Sequence, residues 1–143
     1  MQDMTREEIR EFLTSEPRTA TLATVRADGR PHAKPIWFTL DGDDVLFTTW
    51  YETVTAANLE ENNRVSISVD DPTPPYAFVI FEGRATVQKS PDHEEMLRWT
   101  TQISGHYMGS DLADSYGQRN AVEGEYLVRV KVDKVVAKRG IAD

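Results

Sequence analysis

Thr19-Ala-Thr-Leu-Ala-Thr-Val25, Ala27-Asp-Gly-Arg30 and His32-Ala-Lys-Pro-Ile-Trp-Phe-Thr-Leu40 together decide the fold. The first run is rich in β-branched residues, and Asp28-Gly29 supplies the positive φ that a tight hairpin needs. The two flanking runs therefore read as antiparallel strands. Pro35 lacks an N–H, which suits the return strand to an edge or a bulge rather than a central position. Beyond it, Asp41-Gly42-Asp43 forms a second turn and Val45 to Thr49 a third strand.

Upstream, Thr5 with Glu8 three residues later is a capping box, and Ile9, Phe12 and Leu13 follow at helical spacing. A short helix ending near Glu16-Pro17 is expected. Downstream, Thr53 to Glu61 reads as a short helix. Arg64 to Val69 alternates strictly, with Val65, Ile67 and Val69 on one face. Asp70 to Pro75 is a stiff loop, and Tyr76 to Lys89 a long strand bent at Gly83. Ser90-Pro91 offers a cap and a first-turn proline for a helix through about Ile103. Met96, Trp99, Thr100 and Ile103 share a face of that helix. His106 to Asn120 reads as irregular or weakly helical, and Glu125 to Val136 as a last strand with Val128, Val130 and Val132 inward. Six strands joined mostly by hairpins predict an antiparallel sheet, and closure into a barrel removes its exposed edges.

The 143 residues predict one domain spanning 1–143, with no linker or repeat dividing it. There is no cysteine, so disulfides, thiolate metal sites and cysteine nucleophiles are excluded. A net charge of −8 disfavours nucleic acid and anionic membrane as partners. No apolar run approaches the ~20 residues of a membrane span. The acidic, polar start MQDMTREEIREF lacks the features of a signal peptide, and a cytoplasmic protein is expected.

The common phosphate loops, GxGxxG and GxxxxGK[ST], are absent, as are GxSxG and HExxH. His32, His93 and His106 are far apart and carry no metal-ligand spacing, so surface or capping roles fit them better, and no metal is expected. Adjacent carboxylates such as Asp70-Asp71 point apart on a strand end and do not make the facing pair that glycoside hydrolysis requires. What remains is a polar and aromatic cluster: Lys34, Pro35, Ile36, Trp37, Thr48, Thr49, Trp50 and Tyr51. Ile36 and Trp37 suit the face of a flat heteroaromatic ring. The threonine hydroxyls suit a ribityl or phosphate group, and the start of the helix at 53 adds backbone donors. On residue chemistry alone a plainer reading stays open, with Trp37 and Phe47 in the core and the threonines as strand formers.

The series Leu22-Ala-Thr-Val-Arg-Ala-Asp-Gly-Arg-Pro-His32, Pro35-Ile-Trp-Phe38, Asp41-Gly-Asp-Asp-Val-Leu-Phe-Thr-Thr49, Asn58-Leu59, Arg64-Val65, Val69-Asp-Asp-Pro-Thr-Pro-Pro-Tyr-Ala-Phe78, Glu82-Gly83 and Gly140-Ile141-Ala142 resembles the pyridoxamine 5′-phosphate oxidase-like split β-barrel proteins. Within these it most resembles the flavin/deazaflavin oxidoreductases that use coenzyme F-420. The resemblance covers nearly the whole chain. It implies a mainly β fold, a six-stranded antiparallel split β-barrel with flanking helices. It also implies a homodimer with two cofactor sites at its interface, and hydride transfer to a small conjugated substrate without a covalent enzyme intermediate. Since the cofactor carries the chemistry in such enzymes, a sparse catalytic inventory agrees with it.

Carried over by position, Lys34, Pro35, Ile36 and Trp37 would line the tricyclic ring. Thr48 and Thr49 would hold the ribityl chain or phosphate, with Thr53, Thr55 and Asn58 at the phosphate end. Pro75, Tyr76 and Phe78 would approach from the other subunit. One departure stands out: members that bind these cofactors usually carry Lys at the position of Thr55 and often Arg at that of Ala57. Here Glu52 to Glu61 holds no cation. Three functions stay open: an F-420-dependent reductase, an FMN-dependent oxidoreductase on the same fold, and a non-enzymatic binder of flavin, tetrapyrrole or lipid in the interfacial pocket.

Overall fold

The computed structural model describes residues Met1–Asp143. In chain order the elements are β1 (Gln2–Asp3), α1 (Arg6–Ser15), β2 (Ala20–Val25), β3 (Pro31–Ile36), β4 (Thr39–Asp41), β5 (Asp44–Trp50), α2 (Val54–Glu61), β6 (Arg64–Asp71), β7 (Ala77–Gln88), α3 (His93–Met108), α4 (Ala113–Asn120) and β8 (Glu125–Arg139). The strands form one antiparallel sheet in the order β3-β2-β6-β7-β8-β5-β4, with β1 added on β8. Its two outermost strands, β3 and β4, are consecutive in the chain, so the sheet curls into an open, split barrel.

Strand alternation decides what fills it. Leu22, Phe47, Ile67, Val79, Val128 and Val130 are fully buried and meet inside the barrel. Their outward-facing neighbours Leu46 and Leu127 meet Met96 and Trp99 of α3 and Ala121 in a second, smaller core. Helix α1 packs on the main core through Ile9, Phe12 and Leu13, started by the expected box in which Thr5 and Glu8 satisfy each other's backbone N–H.

The expected bend at Gly83 is a bulge: Glu82 pairs with Lys134 and Gly83 with Val132, leaving Asp133 as the extra residue on β8. A side chain at 83 would run into the Lys131 carbonyl. Asp133 turns outward to a two-pronged ion pair with Arg84, at 3.0 and 3.1 Å.

Four expectations are corrected. The sheet has eight strands instead of six, because β1 and the three-residue β4 carry no sequence pattern of their own. The return strand predicted over 32–40 breaks at Trp37-Phe38 into β3 and β4: the Phe38 N–H turns to the Tyr107 hydroxyl, at 3.4 Å, instead of a ladder partner. The α3 cap is Asp92, whose carboxylate accepts from the Glu95 N–H, and not Ser90. Finally, α3 runs on to Met108 and α4 occupies 113–120, so the region that reads as irregular or weakly helical is helical over most of its length. Glycines at 105, 109 and 117 masked it. Gly117 lets α4 lie against Thr101, whose Cα would be 2.9 Å from any added Cβ, and its carbonyl accepts from the Thr100 hydroxyl at 2.8 Å.

Candidate functional site

Strand β3 lies at the split, paired only with β2 on its inner side, and presents the residues singled out as a ring wall. Pro35 stands opposite Thr21 on this edge, where a missing donor is tolerated. Ile36 is buried on the barrel face, opposite Ala20. Trp37 is 44% exposed and is not a core residue. Its indole stacks on Tyr107 of α3, centroids 4.7 Å apart and planes parallel at 0°. The Tyr107 hydroxyl donates to the Arg18 carbonyl at 2.8 Å and accepts from the Phe38 N–H, tying α3 to the segment before β2 and the segment after β3. Burial pushes its pKa up to about 12, opposed by that N–H, so it stays a neutral donor.

Lys34 is half-buried on the same face of β3 as Ile36, opposite Leu22. It forms no ion pair, but its charge reaches Glu125 at the start of β8. Glu125 stands opposite Trp50 at the end of β5, with Thr48 two residues back on that strand. Burial raises the Glu125 pKa, against the lowering effects of the nearby Thr48 hydroxyl and the Lys34 charge. An ammonium, a hydroxyl and a carboxyl that holds its proton above the ordinary range thus gather at the mouth of the split.

The residues expected at the phosphate end are placed differently. Thr53 caps α2: its hydroxyl accepts from the Ala56 N–H at 3.1 Å, donates to the Trp50 carbonyl at 2.9 Å and meets the Thr49 hydroxyl at 2.6 Å. Thr49, Thr55 and Asn58 are 3%, 1% and 4% exposed, turned into the base of the barrel. Asn58 donates to the Thr24 hydroxyl at 2.9 Å. The Thr55 hydroxyl is buried without a partner, as is Nδ1 of His32, the residue opposite Thr24. His32 is therefore half-buried and not the solvated histidine expected from its turn. Pro75 and Tyr76 lie on the β6–β7 connection at the Trp37 end of the barrel, and Phe78 lies at the start of β7 beside it, opposite Asp70 and Lys138. The last residues clamp that connection, with Ile141 and Ala142 N–H groups donating to the Tyr76 and Pro75 carbonyls.

Two groups of the expected residues come together: Ile36 with Trp37 at the end of β3, and Thr49 with Thr53 at the start of α2. The ring-side set fits a flat cofactor, because Trp37 offers its second face to solvent. The α2 set does not fit a phosphate as it stands, since its hydroxyls are engaged or buried and no cation stands among them. Tyr107 and Glu125 lie beside the expected residues but are not among them. The sequence offers Tyr107 only in a stretch that reads as irregular or weakly helical, and Glu125 only as the start of a strand. No three His, Asp or Glu side chains converge as a metal site, and no helix is long and apolar enough to cross a membrane.

Comparison with known proteins agrees with this geometry. A family model described as pyridoxamine 5′-phosphate oxidase matches residues 5–138. A curated relative from Dichelobacter nodosus (strain VCS1703A), named pyridoxine/pyridoxamine 5′-phosphate oxidase, is 30% identical over 128 residues, covering 87% of this chain. The chain spans only 56% of that relative's length. Among solved structures, a conserved hypothetical protein from Mycobacterium tuberculosis superposes with a TM-score of 0.81 at 26% identity, covering 98% of this chain and 89% of that one. A protein described as an F420 reductase superposes with a TM-score of 0.65, also at 26% identity, covering 87% and 94%. A heme storage protein from Vibrio cholerae, at 23% identity, a TM-score of 0.73 and coverage of 96% and 98%, shares the fold.

Proposed function

Because the chain belongs to the pyridoxamine 5′-phosphate oxidase family, we propose that it is an oxidoreductase that holds coenzyme F-420 at the interface of a homodimer and reduces a small conjugated organic substrate. The observation that carries this reading is the open wall at Trp37, stacked on one face and free on the other, beside the edge of the split. The likeness to an F420 reductase over most of both chains supports the choice of cofactor.

In this reading Lys34, Pro35, Ile36 and Trp37 border the ring. Thr48 lies on the ribityl side, and Thr49, Thr53, Thr55 and Asn58 hold the start of α2 in place beside it. Pro75, Tyr76 and Phe78 come from the partner subunit. When bound, the cofactor supplies the hydride. The protein orients the ring and excludes water from it. Glu125 offers a proton at the mouth of the split. Trp50, Tyr51, Val54 and Val122 are large apolar side chains left exposed, and a second copy would cover them.

A second reading, FMN in the same place, is supported by the name of the curated relative and by the flavin use general to the family. Fluorescence titration with F-420 and with FMN separates the two, and light scattering reads the assembly. Tight F-420 binding by a particle of twice the 16.2 kDa chain mass is expected. FMN binding alone selects the second reading. A monomer that binds neither cofactor overturns both and leaves a binder of some other ligand.

A further inference from the structure

Helix α1 divides its charges between two sides. Arg6 and Arg10, one turn apart, stand on the side that faces the β4–β5 turn, and Glu7, Glu8 and Glu11 border the far side. The arginine side does not lie flat on the barrel. Between it and the sheet runs a cleft of about 380 Å³, walled by Ile9 and Leu13 of the helix and by Leu40, Phe81, Val132 and Val135 of the sheet.

The bulge on β8 shapes this cleft. Val132 and Val135 are three residues apart, which in a regular strand would set them on opposite faces. Asp133 is the extra residue, so Val132 pairs with Gly83 and Val135 with Phe81, and both valines share the inward face. Phe81 is buried there, but Val135 is 42% exposed. An inward-facing position of the sheet is thus left uncovered, and Ile9, Leu40 and Val132 beside it are only partly buried. An apolar ligand would take this surface out of water.

The rim carries unbalanced charge. Arg6 is held by both oxygens of Asp43, each at 2.7 Å. Arg10 has no ion pair: one donor goes to the Gly42 carbonyl at 2.8 Å, and the rest of its fork is open. The mouth therefore holds two guanidiniums against one carboxylate. A single carboxylate balances that charge and matches the planar fork, whereas Asp43 would repel a doubly charged phosphomonoester.

We propose that this cleft is a second binding site, for a medium-chain monocarboxylate whose chain lies along Phe81, Val132 and Val135 and whose head meets Arg10. It shares no residue with the candidate cofactor site and does not rest on the cofactor reading. Its volume falls within the roughly 300–1,000 Å³ of small-molecule sites.

The test is calorimetric titration of the full chain with decanoate, decan-1-ol and decylammonium, each below its micelle-forming concentration. Wild type should bind one decanoate per chain, decan-1-ol ~10-fold more weakly and decylammonium more weakly still. Salt should weaken decanoate binding and leave decan-1-ol unchanged. Arg10→Gln should bring decanoate down to the level of decan-1-ol, and Arg119→Gln on α4 should change nothing. Val135→Trp fills the cleft and Val135→Asp puts a like charge in its wall, so each should abolish decanoate binding. The position is already exposed, so the melting temperature without ligand should hold. No binding by wild type, equal binding of decanoate and decan-1-ol, or decanoate binding that survives both Val135 variants overturns the proposal. Competition by FMN or F-420 would place the carboxylate in the cofactor site and also overturns it. A fall in particle mass with Val135→Asp would make the cleft a contact between copies of the chain, with the same result.

Discussion

The indole of Trp37 lies flat on the phenol of Tyr107, centroids 4.7 Å apart, where β3 ends and the chain turns into β4. One face of the tryptophan is thus fixed by the protein and the other is left to solvent. The stack also explains why the predicted single strand is two: Trp37 leaves the pleat to meet Tyr107, and the phenol hydroxyl takes the next backbone N–H.

Trp37→Phe should therefore lower cofactor affinity with little effect on folding. An aromatic pair contributes about 0.5–1.5 kcal/mol, and a smaller ring keeps part of that. Full truncation, Trp37→Ala, should cost less than the ~3–5 kcal/mol of a buried aromatic, because nearly half the side chain is already in solvent. Thermal melts and ligand titrations on the same samples check both statements. A collapse in melting temperature without loss of binding would return Trp37 to the core.

Tyr107→Phe keeps the stack and removes the hydroxyl. The Arg18 carbonyl and the Phe38 N–H then lose their shared partner. A loss of about 1–3 kcal/mol is expected, read by urea denaturation, with the slope unchanged.

Asn58 and Thr24 form a buried side-chain pair beneath α2. Asn58→Ala should cost about 1–3 kcal/mol, since it strands the threonine hydroxyl. In the double variant with Thr24→Val the losses should add to less than their sum, because the second change removes the stranded group. Strict additivity in a double-mutant cycle would mean that the hydrogen bond contributes nothing.

Much of this was legible in the sequence, for identifiable reasons. Strict alternation at Val65, Ile67 and Val69 and the Asp28-Gly29 turn state the sheet locally, and Thr5 with Glu8 states α1. Trp37 and Lys34 stand out in the sequence by residue type and by their place in a family pattern. What stayed hidden is non-local. Nothing near Tyr107 in the chain shows that it reaches Trp37, and nothing near Glu125 shows Thr48 and Lys34 beside it. Thr55 and Asn58 look equally suited to a ligand or to the core until the helix is docked, and docking turns them inward.

Glu125 carries a pH signature. Its pKa is raised by burial in the folded protein, so the native state holds the proton more firmly than the unfolded chain. Its contribution to stability is complete below the ordinary carboxylate range and is lost as pH rises through the raised value. Glu125→Gln should thus raise the melting temperature at pH 7 to 8 relative to wild type, by more than it does near pH 4. An equal shift at both pH values would show that charge is not the cause.

Placing a cation on α2 separates two routes for the phosphate. Thr55→Lys puts a long side chain where the present one is 1% exposed, and overpacking should cost about 1–3 kcal/mol. Ala57 is exposed, so Ala57→Arg adds the charge without that penalty. If the phosphate is received away from α2, Ala57→Arg should leave FMN and F-420 affinity within about threefold of wild type, roughly 0.6 kcal/mol. A tenfold gain would place the phosphate at α2.

The two prolines of β3 decide how copies of this protein can meet. Proline persists in a sheet only where no ladder donor is required, so Pro31 and Pro35 direct their nitrogen positions away from β2, and between them the outer rim of β3 keeps a donor only at Ala33. At the other rim, β4 is three residues long. Neither rim can template an incoming strand, which blocks edge-to-edge stacking and the fibres that grow from it. Association is thereby channelled to side-chain faces, and chains crowded together during synthesis are denied the backbone zipper by which a half-made barrel would recruit its neighbours.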